Sequence, residues 1–77
     1  MIKTFKIGEY AVGGIIKVKY NAKVKENQAP YNIDFLDYYS KKVVSGYEAH
    51  STEEMFDVLI DNTSHYWADR IVSHFNN

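Results

Sequence analysis

The stretch IIKVKYNAKVK, residues 15–25, decides the fold because apolar and polar side chains alternate along it. Successive side chains of a β-strand point to opposite faces of the sheet. One side of this strand would carry Ile16, Val18, Tyr20, Ala22 and Val24, and the other Lys17, Lys19, Asn21, Lys23 and Lys25. A helix would scatter these lysines around its circumference. The pattern therefore predicts a strand with an apolar side, which we call the dry face, and a cationic side, the open face.

The size and composition of the chain exclude several classes of protein. We expect its 77 residues to form one domain, 1–77, and the absence of cysteine excludes disulfides and thiolate metal sites. No apolar run is long enough for a signal peptide or a membrane span, so we expect a cytoplasmic protein with no membrane partner. The net charge of −1 is too small for a nucleic-acid-binding polycation or an acidic nucleic-acid mimic.

The residues before this strand predict its hairpin partner. We expect a first strand over residues 1–12 and a two-residue turn at Gly13-Gly14, because such turns require residues that tolerate a positive φ. In this register Phe5 faces Ala22 on the dry face. Gly8 interrupts the first strand and predicts a β-bulge.

Residues 31–45 fit two structures. Their aromatic and β-branched side chains favour a hairpin, with strands over residues 31–39 and 43–49 around Ser40-Lys41-Lys42. The alternative is a helix with Asn32 as its N-cap and Gly46 as its C′ residue. Both structures are compatible with the sequence.

The last third of the chain carries two helix-start signals. Ser51 and Glu54 match the capping box S-x-x-E, in which the serine accepts from the backbone N–H at N3 and the glutamate from the cap's own N–H. The turn Asp61-Asn62-Thr63-Ser64 supplies a second N-cap. The apolar stripes that follow are Met55, Phe56, Leu59 and Ile60, then Trp67, Ala68, Ile71, Val72 and Phe75. The predicted fold class is α+β: an antiparallel sheet of about four strands, with two C-terminal helices packed on one face.

No pattern of residues predicts catalysis, a metal site or a cofactor. His65 and His74 lie nine residues apart, too far to share one metal ion, and His50 precedes the first helix. The glycines form neither G-x-G-x-x-G nor a phosphate loop. No nucleophile is indicated beside the pair His65 and Asp69. We therefore expect a protein that is not an enzyme.

The lysines give the clearest indication of a partner. The open face is predicted to carry Lys6, Lys17, Lys19, Lys23 and Lys25. Such a stripe could follow a phosphate backbone. The simpler interpretation is that a solvated sheet face needs polar residues, and Asp34 and Glu48 on neighbouring strands would partly neutralise the lysines. The sole arginine, Arg70, lies on the last helix, so this face has no bidentate phosphate ligand.

The chain holds seven tyrosines, more than a domain of this size can bury. From strand parity and helix position we expect Tyr10, Tyr31, Tyr38 and Tyr66 to be wholly or partly exposed. Exposed tyrosine is typical of protein interfaces, because its ring offers a large rigid area at little entropic cost. The alternative is that these rings fill the edges of the core. Tyr10 and Tyr38, with the five lysines of the open face, are the predicted partner-binding residues.

The predicted strands are followed by a helix that opens with Ser51-Thr52-Glu53, a turn and a terminal amphipathic helix. This order resembles a small phage-encoded type I-F anti-CRISPR protein. The chain is also similar to the short, cysteine-free, lysine- and tyrosine-rich proteins with which phages and mobile elements obstruct host machinery. The resemblance implies non-catalytic binding to a host protein or nucleoprotein complex in the host cytoplasm. Nucleic-acid binding through the lysines is the alternative hypothesis, and a homodimer that pairs sheet edges is a third.

Overall fold

The computed structural model describes residues 1–8 and 14–76, which form four β-strands followed by two α-helices. The elements are β1 (Ile2–Lys6), β2 (Ile15–Tyr20), β3 (Tyr31–Leu36), β4 (Val43–Ala49), α1 (Thr52–Asn62) and α2 (His65–Ser73). The strands form one sheet in the spatial order β1-β2-β3-β4, and every neighbouring pair is antiparallel. The α+β fold class predicted from the sequence is confirmed.

The core lies between the dry face of the sheet and the two helices. The buried side chains that form it are Ile16, Val18, Tyr31, Ile33, Phe35, Ala49, Met55, Leu59, Ala68, Ile71 and Val72. Alternation along β2 explains which of its residues belong to the core, since Ile16 and Val18 are fully buried while Lys17 between them is exposed. Burial of one aliphatic side chain of this kind is worth about 1.5–3 kcal/mol. The apolar periodicity of the sequence therefore identified both layers correctly.

The pairing of β1 with β2 differs from the predicted register. Phe5 lies opposite Ile16, not opposite Ala22. Gly14 does not sit in a turn with positive φ but joins the ladder, its carbonyl accepting from the Ile7 N–H at 2.9 Å. Gly13 and the predicted end of the first strand lie outside the described residues. Since Ile16 and Ala22 have the same parity, the shift leaves Phe5 on the dry face.

The observed register of β1 and β2 depends on the close approach of the Gly8 backbone to Gly14. The N–H groups of Ile7 and Gly8 both point to the Gly14 carbonyl, at 2.9 and 3.4 Å, which is the pattern of a β-bulge. Gly8 has φ +149°, a conformation that side chains rarely adopt. The described pairing of β1 with β2 ends at this double contact, and the continuation of the ladder that the predicted bulge requires falls on residues 9–13, outside the described residues.

Residues 31–49 form the predicted hairpin, and the helical alternative is wrong. β3 ends at Leu36 rather than at Tyr39, and a register shift between Phe35 and Leu36 marks a bulge in β4. Phe35 is opposite Ser45 and Leu36 is opposite Val43, so Val44 has no residue opposite it on β3.

Both predicted helix caps are present. The Ser51 hydroxyl accepts from the Glu54 N–H at 3.2 Å, and the Ser64 hydroxyl accepts from the Trp67 N–H at 3.3 Å. The Glu54 carboxylate reaches back to the His50 N–H, one residue before the predicted partner. The caps fix where the chain turns from the sheet into the helical layer.

Candidate partner-binding surface

The open face of the sheet, which points away from the helices, is built by alternation in all four strands. Its residues are Ile2, Thr4 and Lys6 on β1, Ile15, Lys17 and Lys19 on β2, Asn32, Asp34 and Leu36 on β3, and Val43, Gly46 and Glu48 on β4. Lys6, Lys17 and Lys19 thus share one surface, as predicted. All three side chains are exposed.

Lys23 and Lys25 lie beyond the end of β2, which corrects the prediction that this strand carries them. β2 ends at Tyr20, and the last ladder bond runs from the Asn21 N–H to the Pro30 carbonyl at 2.9 Å. The Asn21 side chain then accepts from the Lys23 N–H at 3.0 Å, an Asx turn that replaces further strand pairing. The alternation continues in the sequence after Asn21, but the strand does not.

Carboxylates interrupt the lysines that remain on this face. Lys17 lies directly opposite Asp34, and Lys19 lies opposite Asn32, whose other neighbour is Glu48. Opposite charges across a strand pair are worth roughly 0.2–1 kcal/mol. The open face therefore carries alternating charges rather than a continuous cationic stripe.

The loop between β3 and β4, residues 37–42, is held by hydrogen bonds to Asp37. One oxygen of its carboxylate accepts from the N–H groups of Tyr39 and Ser40, at 3.0 and 2.8 Å. The Asp37 N–H donates to the Lys42 carbonyl at 2.9 Å, and the Asp37 carbonyl accepts from the Lys41 N–H at 3.0 Å. Lys41 takes the left-handed conformation, φ 64°. One aspartate therefore satisfies most of the backbone of this turn.

The electrostatics of the loop reflect the same bonds. The Ser40 N–H lowers the pKa of the Asp37 carboxyl below its usual value, with smaller contributions from Tyr39 and the Lys41 charge. Hydrogen bonds donated to a carboxylate favour its ionised form. Asp37 therefore holds the loop as an anion at neutral pH.

Tyr38 and Tyr39 are presented by this loop. The Tyr39 side chain is 70% exposed, and its ring meets the Tyr38 ring edge to face at 5.3 Å between centroids. The Lys41 ammonium donates to the Tyr38 carbonyl and lies 5.0 Å from the centroid of the Tyr38 ring. A Cβ placed on Gly14 would lie 3.1 Å from the Tyr38 Cβ, so Tyr38 also packs against the start of β2.

The predictions for the other tyrosines have different outcomes. Tyr31 is only 9% exposed, which makes the prediction of its exposure wrong. Its ring lies 4.8 Å from that of Tyr20 and 6.0 Å from that of Phe75, and burial, with a smaller contribution from Tyr20, raises the pKa of its hydroxyl. Tyr66 is exposed as predicted. Tyr10 lies outside the described residues.

Two exposed apolar features were missed by the sequence analysis. Val43 and Val44 are 60% and 53% exposed at the bulge of β4, where the alternation of a regular strand does not predict their exposure. On α2 the Arg70 guanidinium lies 5.4 Å from the Tyr66 ring and 5.8 Å from the Trp67 ring. The spacing of Tyr66 and Arg70, one helical turn, was a signal that could have found this second cluster.

Within residues 1–8 and 14–76, no cluster of three or more histidine, aspartate and glutamate side chains could hold a metal ion. The His65 and His74 rings instead pack against Phe56 and Phe5, at 5.5 and 5.1 Å between centroids. A groove of about 450 Å³ between α1 and α2 is lined by Thr52, Glu53, Phe56, Asp57, Asp69, Val72 and Asn76.

Comparison of the chain with family models, with curated proteins and with solved structures found no match. In the part of the chain that the structure describes, neither helix has the length and apolar character needed to cross a membrane.

Proposed function

We propose that this protein is a small phage or mobile-element accessory protein that binds a host nucleic-acid-processing complex and inhibits or modulates it. It acts by protein–protein contact, in the manner of an anti-CRISPR protein, and has no catalytic activity of its own. The observation that carries the proposal is the loop of residues 37–42, which presents Tyr39 on a backbone fixed by Asp37.

The order of this loop is what makes it suitable for binding. A partner surface must repay the entropy lost when side chains and loops become ordered, at about 0.5–1.5 kcal/mol for each immobilised side chain. Here the turn is already held by four hydrogen bonds that Asp37 makes, two of them to its carboxylate. Tyrosine is also among the residue types that most often dominate binding energy at interfaces. Tyr39 therefore offers a contact whose ordering cost is small.

The charges of the open face suit a protein partner better than a nucleic acid. Lys17 pairs across the strands with Asp34, and Glu48 lies on the same face as Lys19. A surface of mixed sign sets orientation and specificity against a protein of complementary pattern, whereas a phosphate backbone would be repelled by the carboxylates. Lys6, Lys17 and Lys19 then contribute mainly to the rate of association.

The proposal is tested with a bacterium that carries a type I-F CRISPR system directed against a phage. Expression of this protein should restore plaque formation, and the purified protein should bind the purified interference complex. Tyr39→Ala should weaken binding by about 1–3 kcal/mol, roughly 5- to 150-fold. Tyr66→Ala, an exposed tyrosine on the opposite layer, is the matched control and should bind like the unchanged protein. Full interference in the presence of the protein, together with no binding to the complex, would contradict the type I-F proposal.

The second candidate function is nucleic-acid binding, which the clustering of Lys6, Lys17 and Lys19 on one exposed face favours. It predicts a steep loss of affinity with salt and no dependence on Tyr39. Affinity for bare duplex or single strands below micromolar Kd at about 150 mM salt, lost in Lys→Gln variants, would support it over the protein-directed proposal.

A further inference from the structure

The two edges of the sheet differ in how well they can pair with a second copy of the chain. β1 and β4 are the outer strands, and an outer strand offers unpaired backbone N–H and C=O groups to another strand. Five of the seven residues of β4 are exposed, Val43 and Val44 most of all among its large apolar side chains. In the sheet formed by the described residues, β4 therefore presents apolar side chains along an edge with no neighbouring strand.

The hydrogen-bonding direction of β4 can be worked out from the ladder. The Asn21 N–H bonds the Pro30 carbonyl, so even-numbered residues of β3 turn their backbone groups toward β2 and odd-numbered residues turn theirs toward β4. Phe35 and its partner Ser45 consequently bond each other. Gly46 and Glu48 direct their N–H and C=O groups outward, away from the sheet.

The charges distinguish the two edges. β1 carries Lys3 and Lys6 and no carboxylate, so a pair of β1 strands would gather four lysines with no opposite charge on either strand to balance them. β4 instead begins directly after Lys41 and Lys42 and carries Glu48 near its end. A strand that is positive before its start and negative near its end is complementary to itself when it pairs antiparallel, as a two-fold axis requires.

We propose that the partner of the β4 edge is a second copy of this chain, paired antiparallel about a two-fold axis at Ser45. In this arrangement Glu48 of each copy lies beside Lys41 and Lys42 of the other. Val44 of one copy lies opposite Gly46 of the other, where no side chain stands, and Val43 lies opposite Tyr47. The two sheets then meet edge to edge around Ser45, with the helices of both copies on the same face, and Lys42, whose carbonyl accepts from the Asp37 N–H, contributes its side chain but not this carbonyl to the junction. This dimer does not depend on the proposed host partner.

A cysteine at the axis tests the register. Ser45 turns its backbone groups toward β3, so in the dimer it faces its own copy as a non-hydrogen-bonded pair, with Cα atoms about 4.5 Å apart. That distance lies within the range that a disulfide spans. Because the chain has no cysteine, Ser45→Cys would introduce the only thiol. Under mild oxidation we expect most of this variant to become a covalent dimer, whereas Thr4→Cys on the β1 edge should stay largely monomeric.

Charge reversal tests the pairing without a covalent bond. The unchanged protein should sediment as a concentration-dependent dimer, and Glu48→Lys or Lys41→Glu/Lys42→Glu should each shift it toward monomer by at least 10-fold in Kd. An equimolar mixture of the two variants should dimerise again, because both junctions of the mixed dimer join opposite charges. Loss of folding would not explain recovery on mixing.

Three results would overturn the proposal. The first is a protein that stays monomeric at all concentrations up to about 1 mM. The same result is expected if the β4 edge binds only a segment of a host protein. The second is equal cross-linking of Ser45→Cys and Thr4→Cys. The third is a dimer that neither charge variant weakens.

Discussion

Replacing Gly14 with alanine should disturb the structure at the point where β1, β2 and the loop of residues 37–42 meet. A Cβ at this position would lie 2.4 Å from the Gly8 carbonyl oxygen and 3.1 Å from the Tyr38 Cβ. The first distance is far inside van der Waals contact, and the atom it meets belongs to the backbone. The backbone at Gly8 must therefore move before any side chain fits at Gly14.

The magnitude follows from two opposing effects. Overpacking of a well-packed site costs about 1–3 kcal/mol. Removing a glycine from a sheet recovers roughly 0.5–1 kcal/mol by restricting the unfolded chain. Because the Cβ meets a backbone atom, the overpacking cost lies in the upper part of its range, at about 2–3 kcal/mol, and subtracting about 1 kcal/mol leaves a net loss of about 1–2 kcal/mol. A domain of 77 residues is stable by at least about 4 kcal/mol, so Gly14→Ala should remain folded and measurable.

Urea denaturation followed by circular dichroism measures this loss. With an m-value of about 1 kcal/mol/M, the midpoint of Gly14→Ala should fall by about 1–2 M. Gly46→Ala is the matched control, because its Cβ would meet only the Asp34 Oδ1 atom, at 2.9 Å and at the end of a flexible side chain. That variant should melt at or slightly above the unchanged midpoint. If Gly14→Ala melts like Gly46→Ala, the close approach of Gly8 to Gly14 is wrong.

Three further changes test the cap, the loop and the open face. Ser51→Ala should cost about 0.5–2 kcal/mol by removing the acceptor of the Glu54 N–H, and overlapping urea melts would show that α1 does not depend on this cap. The unchanged protein should have a higher urea midpoint than Asp37→Asn. This difference should be constant above the pKa of about 3.9 that the Asp37 carboxyl has in the unfolded chain, and it should shrink as the pH falls through the lower pKa of the folded state. A constant difference down to pH 2 would contradict the role of the carboxylate. If the open face binds duplex DNA, changing Lys6, Lys17 and Lys19 to glutamine should flatten the log–log salt slope by up to ~2.7 units. An unchanged slope would show that these lysines touch no phosphate.

The layers of the fold could be predicted because an error of register by an even number of residues leaves each side chain on its predicted face. Alternation in residues 15–20 placed Ile16 and Val18 in the core and Lys17 and Lys19 outside. The register of β1 could not be predicted, because it depends on the contact of the Gly8 carbonyl with Gly14, a backbone contact without side-chain pattern. Two adjacent glycines indicated a turn, but one of them is needed for this close approach instead.

The candidate surface was predicted correctly only where the alternating residues of the sequence lie within an actual strand. Lys23 and Lys25 keep the alternation of β2, yet Asn21 has already turned the chain by accepting a backbone N–H with its side chain. The exposure of Val43 and Val44 depends on a bulge that shifts parity within β4. Both errors arise from a local backbone event that interrupts a period while the sequence continues it.

The contact between Gly14 and Tyr38 links the stability of the sheet to the proposed binding loop. Asp37 fixes the shape of the loop, but packing against Gly14 also sets where Tyr38 stands relative to the open face. A change at Gly14 should therefore lower both the urea midpoint and the affinity for the host complex, whereas Tyr39→Ala should lower the affinity alone. If Gly14→Ala lost stability but kept full affinity, the loop would bind independently of the sheet. The tyrosines would then act as a recognition element separate from the sheet.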